Sequence, residues 1–408
     1  MRTRYRAFRD GWAFPVGIAL IIVAAALLRL CVPAGFDGIG FDENLYRGYV
    51  ELLSKAGVTN YPLLAEQFID HQLEPKNQAI LPPTRIFYIG GGYVYHRVFG
   101  LSPLAALHAL SAHFSILTVV VSAVFCWRVT RRRDFTAAVT ALVACAPTQI
   151  HMGQHALIDG VFGFWALLVM WLLWENLQQR DSTPWLISYA AALAVLVMTK
   201  ENAAFVAATI TAILALNHWL RFGQVTRRLV ITTFAATLVG LTAVVLAAGG
   251  VEQFVLIFSL LKVKVPALAF MIRTAGGPWH RYLVDLLLVS PIVVMLAGAA
   301  LLNIRGSNIP GQAYVAVFVA LSYTVLALFP AGMNLRFIVM LDMPLRFLAG
   351  VQLLALSRRW GRYQRPLLVC AVVALCGYEL RQHYILFIKG SLYELVTEGL
   401  IYAQGIIK

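Results

Sequence analysis

The sequence predicts an all-α, polytopic transmembrane helix bundle of about eleven helices, and three observations predict it. Of its 408 residues, 60% are hydrophobic and only 13% charged, against roughly 25% charged in a soluble globular domain. Apolar runs of spanning length recur along the whole chain. The net charge of +14 sits in short loops between those runs. A basic balance of that size often signals nucleic acid, but this placement follows the positive-inside rule, so membrane lipids are the expected partner and nucleic acid is not. Length alone suggests two or three soluble domains; the repeated runs point instead to one integral membrane domain over residues 1–408.

The runs fall near 13–32, 101–127, 134–150, 156–177, 185–199, 203–220, 229–249, 280–303, 312–331, 335–356 and 366–387. The first follows MRTRYRAFRD, and the pair has the outline of a signal peptide. No clean small-residue cleavage site follows, so it reads as a retained first helix. The fifth run is short, and the third carries Pro147. With the N-terminus in the cytoplasm, the cytoplasmic segments hold Arg2, Arg4, Arg6, Arg9, Arg128, Arg131, Arg132, Arg133, Arg180, Arg221, Arg227, Arg228, Arg305, Arg358, Arg359, Arg362 and Arg365. These are about half of the 33 basic residues, and the opposite orientation would put all of them outside. The five cysteines lie in or beside apolar runs and show neither zinc spacing nor a disulfide framework.

Two extracytoplasmic segments remain, a long first loop at 33–100 and a second at 250–279. The first carries Asp37, Asp42, Glu43, Glu51, Glu66, Asp70 and Glu74, seven of the chain's 19 acidic residues. It also contains the amphipathic stretches NLYRGYVELLSKAG and RIFYIGGGYVYHRVFG, which suit helices lying in the membrane interface. A site at the outer surface is therefore expected.

Asp42 and Glu43 in GFDENLYRGY are adjacent carboxylates just outside the membrane, where low dielectric raises basicity and suits them to take a proton from a hydroxyl. The competing reading makes Asp42 a simple helix N-cap. Charges at membrane depth are candidates because burying them is costly. Asp159 begins the fourth run beside His151 and His155, Lys200-Glu201 interrupts another, and Asp285 lies within a third. Asp342 and Arg346 have the spacing of an intrahelical ion pair. Lys200-Glu201 has an equally simple reading as a turn. Arg85, Lys262, Lys264 and Arg336 face outward against the charge bias, which favours an anion such as phosphate; singly, each reads as solvated or snorkelling. His151 and His155 lack an obvious third metal ligand. Asp37 with Asp42 leaves a divalent cation open, without diagnostic spacing, and no other cofactor is indicated. No nucleotide-binding glycine loop or nucleophile elbow occurs.

In order along residues 13–356, FDENLY, LPPTRIFYIGGGYVYHRVFGLSPLAALHALSA, RRR, HALIDGVFGFWALLVMWLLWE, VMTKENA, GGPWHRYLVDLLLVSP and MNLRFIVMLDMPLRFLAG together resemble the GT-C glycosyltransferases. The resemblance is to the bacterial relatives of protein O-mannosyltransferases and of lipid A aminoarabinose transferase. It implies a GT-C fold and a polyprenyl-phosphate sugar donor used with inversion at the outer face of a bacterial inner membrane. The acceptor it implies is a lipid, glycan or protein. Asp42 matches the family's base, Glu43 the second acid of the pair and Asp159 a further acidic position. Arg336 matches a phosphate-binding basic residue, with Arg85 and Lys200 as additional candidates. The chain departs from the pattern at Leu81, where relatives often carry Lys or His before the proline pair. Only about twenty residues, with Glu394 and Glu398, follow the last run, so acceptor recognition is expected from the loops. A lipid-linked polysaccharide ligase is disfavoured because its large outer loop comes late. A transporter or flippase would show inverted repeats, and none is evident.

Overall fold

The computed structural model describes residues 2–274, 276–304, 309–328 and 333–407, with side chains from residue 13 onward. Arg305 and the side chains of Arg2, Arg4, Arg6 and Arg9, all expected in the cytoplasm, lie outside the described residues. Those described form helices and turns, with no strand. The first helix is α1 (Arg2–Leu30). Three helices of the first outer loop follow: α2 (Phe41–Ala56), α3 (Pro62–Leu73) and α4 (Ile86–Phe99). Then come α5 (Pro103–Thr130), α6 (Arg133–Ala144), α7 (Pro147–Gln154), α8 (Ile158–Gln178), α9 (Thr183–Thr199), α10 (Ala203–Leu220) and α11 (Arg227–Ala247). The second outer segment holds α12 (Val251–Lys264) and α13 (Ala269–Thr274). The chain continues through α14 (Arg281–Val289), α15 (Pro291–Leu302), α16 (Gln312–Ala327), a 3-10 stretch Leu335–Leu341, α17 (Asp342–Arg358), α18 (Gln364–His383) and α19 (Thr397–Ala403).

Every expected run contains helix, but the count of eleven full-length spans is not met among the described residues. Six helical segments are long and apolar enough to cross a bilayer, and seven if α6 and α7 count as one bent span. Proline explains part of the shortfall. Pro147 has no amide proton and would clash with the carbonyl four residues back; α6 stops at Ala144, and α7 restarts on Pro147 at an angle of 51°. The run expected at 280–303 is likewise divided at Ser290-Pro291 into α14 and α15. α9, α15 and α16 are apolar but shorter. The chain is a multi-pass membrane protein in which α8 and the 335–358 segment are mostly buried, while few residues of the apolar stretch of α1 are buried.

Several charges inside the bundle are answered locally, as a low-dielectric surround demands, whereas the buried Asp285 has neither carboxylate oxygen hydrogen-bonded among the described residues. Arg29, near the end of α1, donates to Ser115 Oγ at 2.7 Å and to the Ala25 and Ala144 carbonyls. Arg128 grips Glu175 through two bonds of 2.8 Å. The Asp342–Arg346 pair forms as its spacing predicts, and a third member joins it. Arg346 Nη2 donates to Glu379 of α18 at 2.5 Å, and Ser290 Oγ donates to the same oxygen at 2.8 Å. This triad ties α17 to α18 and to the break before α15. Arg346→Leu would leave two buried carboxylates unanswered, at a cost of about 3–5 kcal/mol. A sharp fall in thermal unfolding temperature in detergent is expected, partly recovered when Asp342→Asn and Glu379→Gln are added.

Candidate active site

α2 starts where the first outer loop meets the tail of the chain. Its N-cap is Gly40, in extended conformation. A Cβ at that position would run into the ring of Tyr393, so glycine lets the two segments touch. The residue that serves the cap is Glu43, whose Oε2 accepts the Gly40 amide at 2.7 Å, in the reach-back geometry of a capping box. Its other oxygen accepts the Ala156 amide at 2.6 Å, with His108 Nε2 at 3.0 Å and His155 Nδ1 at 3.4 Å. Burial alone would raise the Glu43 pKa. The hydrogen bonds from His108, His155 and the two amides outweigh it and hold the carboxyl well below the usual carboxylate range. Glu43 therefore fastens α2 to α5 and to the α7–α8 link. It is 1% exposed and turned away from its neighbour, so the acidic pair of the sequence separates into two environments. The N-cap expected for Asp42 is not formed: the cap falls to Glu43, and the Asp42 side chain is released for a distant partner.

That partner is Arg336. Its Nη2 donates to Asp42 Oδ2 at 2.8 Å, Asp159 Oδ2 lies 3.7 Å from Nε, and Glu394 Oε1 lies 3.5 Å from Nη1. Asn334 sets the guanidinium's position by capping the 3-10 stretch, its Oδ1 accepting the Arg336 amide at 3.0 Å. Asp159 occupies the first turn of α8, where the helix dipole favours negative charge. Lys200, at the end of α9, donates to Asp159 Oδ1 at 2.6 Å and rests over the Phe337 ring at 4.7 Å. Asp42, Asp159, Lys200 and Arg336, four of the six site candidates, thus converge from α2, α8, the α9–α10 turn and the 335–341 stretch. All four are buried.

Arg85 belongs to the adjoining layer. It makes a two-pronged bond to Glu201 and a further one to the Tyr46 hydroxyl. The Lys200-Glu201 dipeptide, which also read as a plain turn, therefore holds Asp159 with one residue and Arg85 with the next. His151 stacks on Phe387 at 4.2 Å, while His155 serves Glu43. Asp37 is exposed and Asp42 buried, and among the described residues no group of three or more His, Cys, Asp or Glu side chains could hold a metal. Sequence reasoning missed Glu394, Asn334 and His108 as site residues. Glu394 follows the last apolar run with no motif around it, and His108 is one polar residue in an apolar helix.

Arg336 is buried, yet it makes a single side-chain hydrogen bond. Its Nε and Nη1, like Asp159 Oδ2, have none among the described residues. Buried donors normally find partners. Two uncommitted N–H directions on a guanidinium match the oxygens of a phosphate group. Glu43→Gln would place an amide NH2 where backbone amides and histidines donate. It is expected to lower stability by about 1–3 kcal/mol, seen as a reduced unfolding temperature with helix content retained at low temperature.

A model of the dolichyl-phosphate-mannose-protein mannosyltransferase family matches residues 93–261, a stretch that includes Asp159 and Lys200. A search of curated proteins finds no match. Among solved structures, ArnT from Cupriavidus metallidurans bound to undecaprenyl phosphate aligns over 97% of this chain and 75% of its own, at 16% identity and TM-score 0.60. The oligosaccharyltransferase of Archaeoglobus fulgidus in its apo form aligns over 91% of this chain at 12% identity and TM-score 0.61. This chain covers 55% of that protein's length. The archaeal AglB complex with an inhibitory peptide and a dolichol-phosphate aligns over 93% at 14% identity and TM-score 0.56. The GT-C resemblance carried by the ordered motifs is matched by a shared fold over nearly the whole length. The chain therefore shares the fold of these GT-C glycosyltransferases, and its residues 93–261, from α4 to α12, are similar to the mannosyltransferase family.

Proposed function

We propose that this glycosyltransferase moves a monosaccharide from a polyprenyl-phosphate donor to an acceptor hydroxyl, with inversion, at the extracytoplasmic face of a bacterial inner membrane. The observation that carries the reading is the buried Arg336, with two N–H directions lacking hydrogen-bond partners, set beside Asp42 and Asp159. Two of the solved neighbours hold undecaprenyl phosphate and a dolichol-phosphate, the second with a peptide as well; these support the donor class and leave the acceptor to be a protein, lipid or glycan.

In this reading Arg336 takes the donor phosphate on its Nη1 side, away from the Asp159 carboxylate that faces Nε. Asp42, held at 2.8 Å by the same guanidinium, accepts the proton of the attacking hydroxyl. The C–O bond to the polyprenyl phosphate breaks as the new glycosidic bond forms on the opposite face of the sugar. Phosphate is already a competent leaving group, so alignment and charge stabilisation do most of the work. Asp159, itself held by Lys200, keeps the guanidinium in place from the Nε side, and Glu201 with Tyr46 hold Arg85 in reserve behind them. The prenyl chain lies among helices open to lipid.

The orientation is supported along α8. Asp159 is in its first turn and Glu175, paired with Arg128, is in its last, so about 24 Å of helix separates the acid cluster from the arginine-rich end. Arginine-rich loops on the cytoplasmic side put the cluster on the other face.

Purified protein in lipid nanodiscs, offered a panel of polyprenyl-phosphate sugars and an envelope extract, is expected to release free polyprenyl phosphate. Asp42→Asn should cut turnover by at least about 100-fold with thermal stability near that of the parent. Full activity in this variant would remove Asp42 as the base. Arg336→Ala should raise the donor KM more than the acceptor KM; an unchanged donor KM would count against its phosphate role.

A further inference from the structure

The cluster holds one more acid than it has cations to answer. Asp42, Asp159 and Glu394 face Arg336 and Lys200, an excess of one negative charge among the described residues. An anionic phosphate brought to Arg336 would enter a field of its own sign at close range in a poorly screened site. One carboxylate has to yield.

The three are held very differently. Asp159 is 1% exposed and bound by Lys200 at 2.6 Å. Asp42 makes the one side-chain hydrogen bond to Arg336, on a helix fastened by the adjacent Glu43. Glu394 has a side chain 30% exposed, 3.5 Å from Nη1 and without a hydrogen bond to it. Its own bond is to a neutral group, Asn334 Nδ2, at 2.6 Å. It rides on residues 390–396, a stretch without regular structure that packs through the buried Tyr393 and Leu395 and is attached by the Leu335 amide to the Leu395 carbonyl at 3.0 Å and by His151 Nε2 at 3.1 Å from the Tyr393 carbonyl. Burial raises the Glu394 carboxyl above the usual range even as Arg336 pulls it down, so the charge is costly where it sits.

We propose that Glu394 is a resident carboxylate at the donor-phosphate position of Arg336, displaced together with the 390–396 segment when the phosphate arrives. This rests on the donor assignment above. Displacement frees Nη1 and the Asn334 amide for phosphate oxygens and removes the excess charge. It also lifts Tyr393, the adjacent residue, whose ring covers Gly40 at the start of α2. Donor binding then opens the approach to Asp42, and donor precedes acceptor.

The test uses the full chain in nanodiscs with undecaprenyl phosphate as the probe. Glu394→Gln keeps an oxygen for Asn334 and loses the charge. It should bind the probe about tenfold more tightly than the parent, the equivalent of roughly 1.4 kcal/mol. In the parent, the probe should speed deuterium uptake at the Leu335 amide and across 390–396. Equal or weaker binding by Glu394→Gln with normal binding by the parent overturns the displacement and leaves the donor assignment standing. So does increased protection of 390–396 in the parent. Failure of both proteins to bind the probe overturns the donor assignment and the displacement with it.

Discussion

The structure depends on where a single buried guanidinium finds its counter-charges. Arg336 sits near the end of the membrane-embedded core, where an unpaired cation would be costly. It is answered by Asp42, Asp159 and Glu394, drawn from the first outer helix, the head of α8 and the tail of the chain. Satisfying this one group brings together segments as far apart in the chain as Asp42 and Glu394. The pairing is incomplete in geometric terms: one short hydrogen bond from Nη2, while Nε and Nη1 face Asp159 and Glu394 at longer ion-pair distances without a hydrogen bond. A fully paired arginine would be a structural bolt, as Arg346 is. An incompletely paired one can exchange partners.

The contrast between these two arginines separates scaffold from site. Arg346 is surrounded by bonds to Asp342, Glu379, Ser290 and the Leu142 carbonyl, which lock α17 to its neighbours. Arg128 is similarly occupied by Glu175 at another level of the bundle, and Arg29 is held through Nε and Nη1, with its buried Nη2 left without a hydrogen bond. The same distinction divides Asp42 from Glu43. Glu43 has both oxygens engaged by amides and histidines that hold α2 in place. Asp42, one residue and about 100° further round the helix, has its one side-chain hydrogen bond among the described residues with Arg336. A rigid neighbour keeps the Asp42 carboxylate positioned without consuming its lone pairs.

The membrane as solvent accounts for the remaining architecture. Apolar runs become helices because backbone polar groups have no water to turn to. Where Pro147 and Pro291 interrupt, the helix breaks inside protein: Pro147 is buried, and Ser290 before the second break donates to Glu379. The Pro147 break carries the chain through α7 to His155 and Ala156, both of which meet Glu43. A bend that shortens a span therefore helps to build the floor of the site.

The sequence by itself determined the all-helical membrane bundle, the arginine-rich loop pattern, the ordered GT-C motifs and the identity of Asp42, Asp159, Lys200 and Arg336 as notable charges. These are legible because hydrophobic runs and misplaced charges are local signals whose cost in lipid does not depend on the fold. Only the tertiary structure decided which of those charges meet. It assigned the helix cap to Glu43 instead of Asp42, bound Arg85 to Glu201, and brought Glu394 from an unremarkable tail to the centre of the site. Electrostatic pairing acts over a few ångströms in space, and nothing in the spacing between residues 42, 159 and 394 encodes that they will be close.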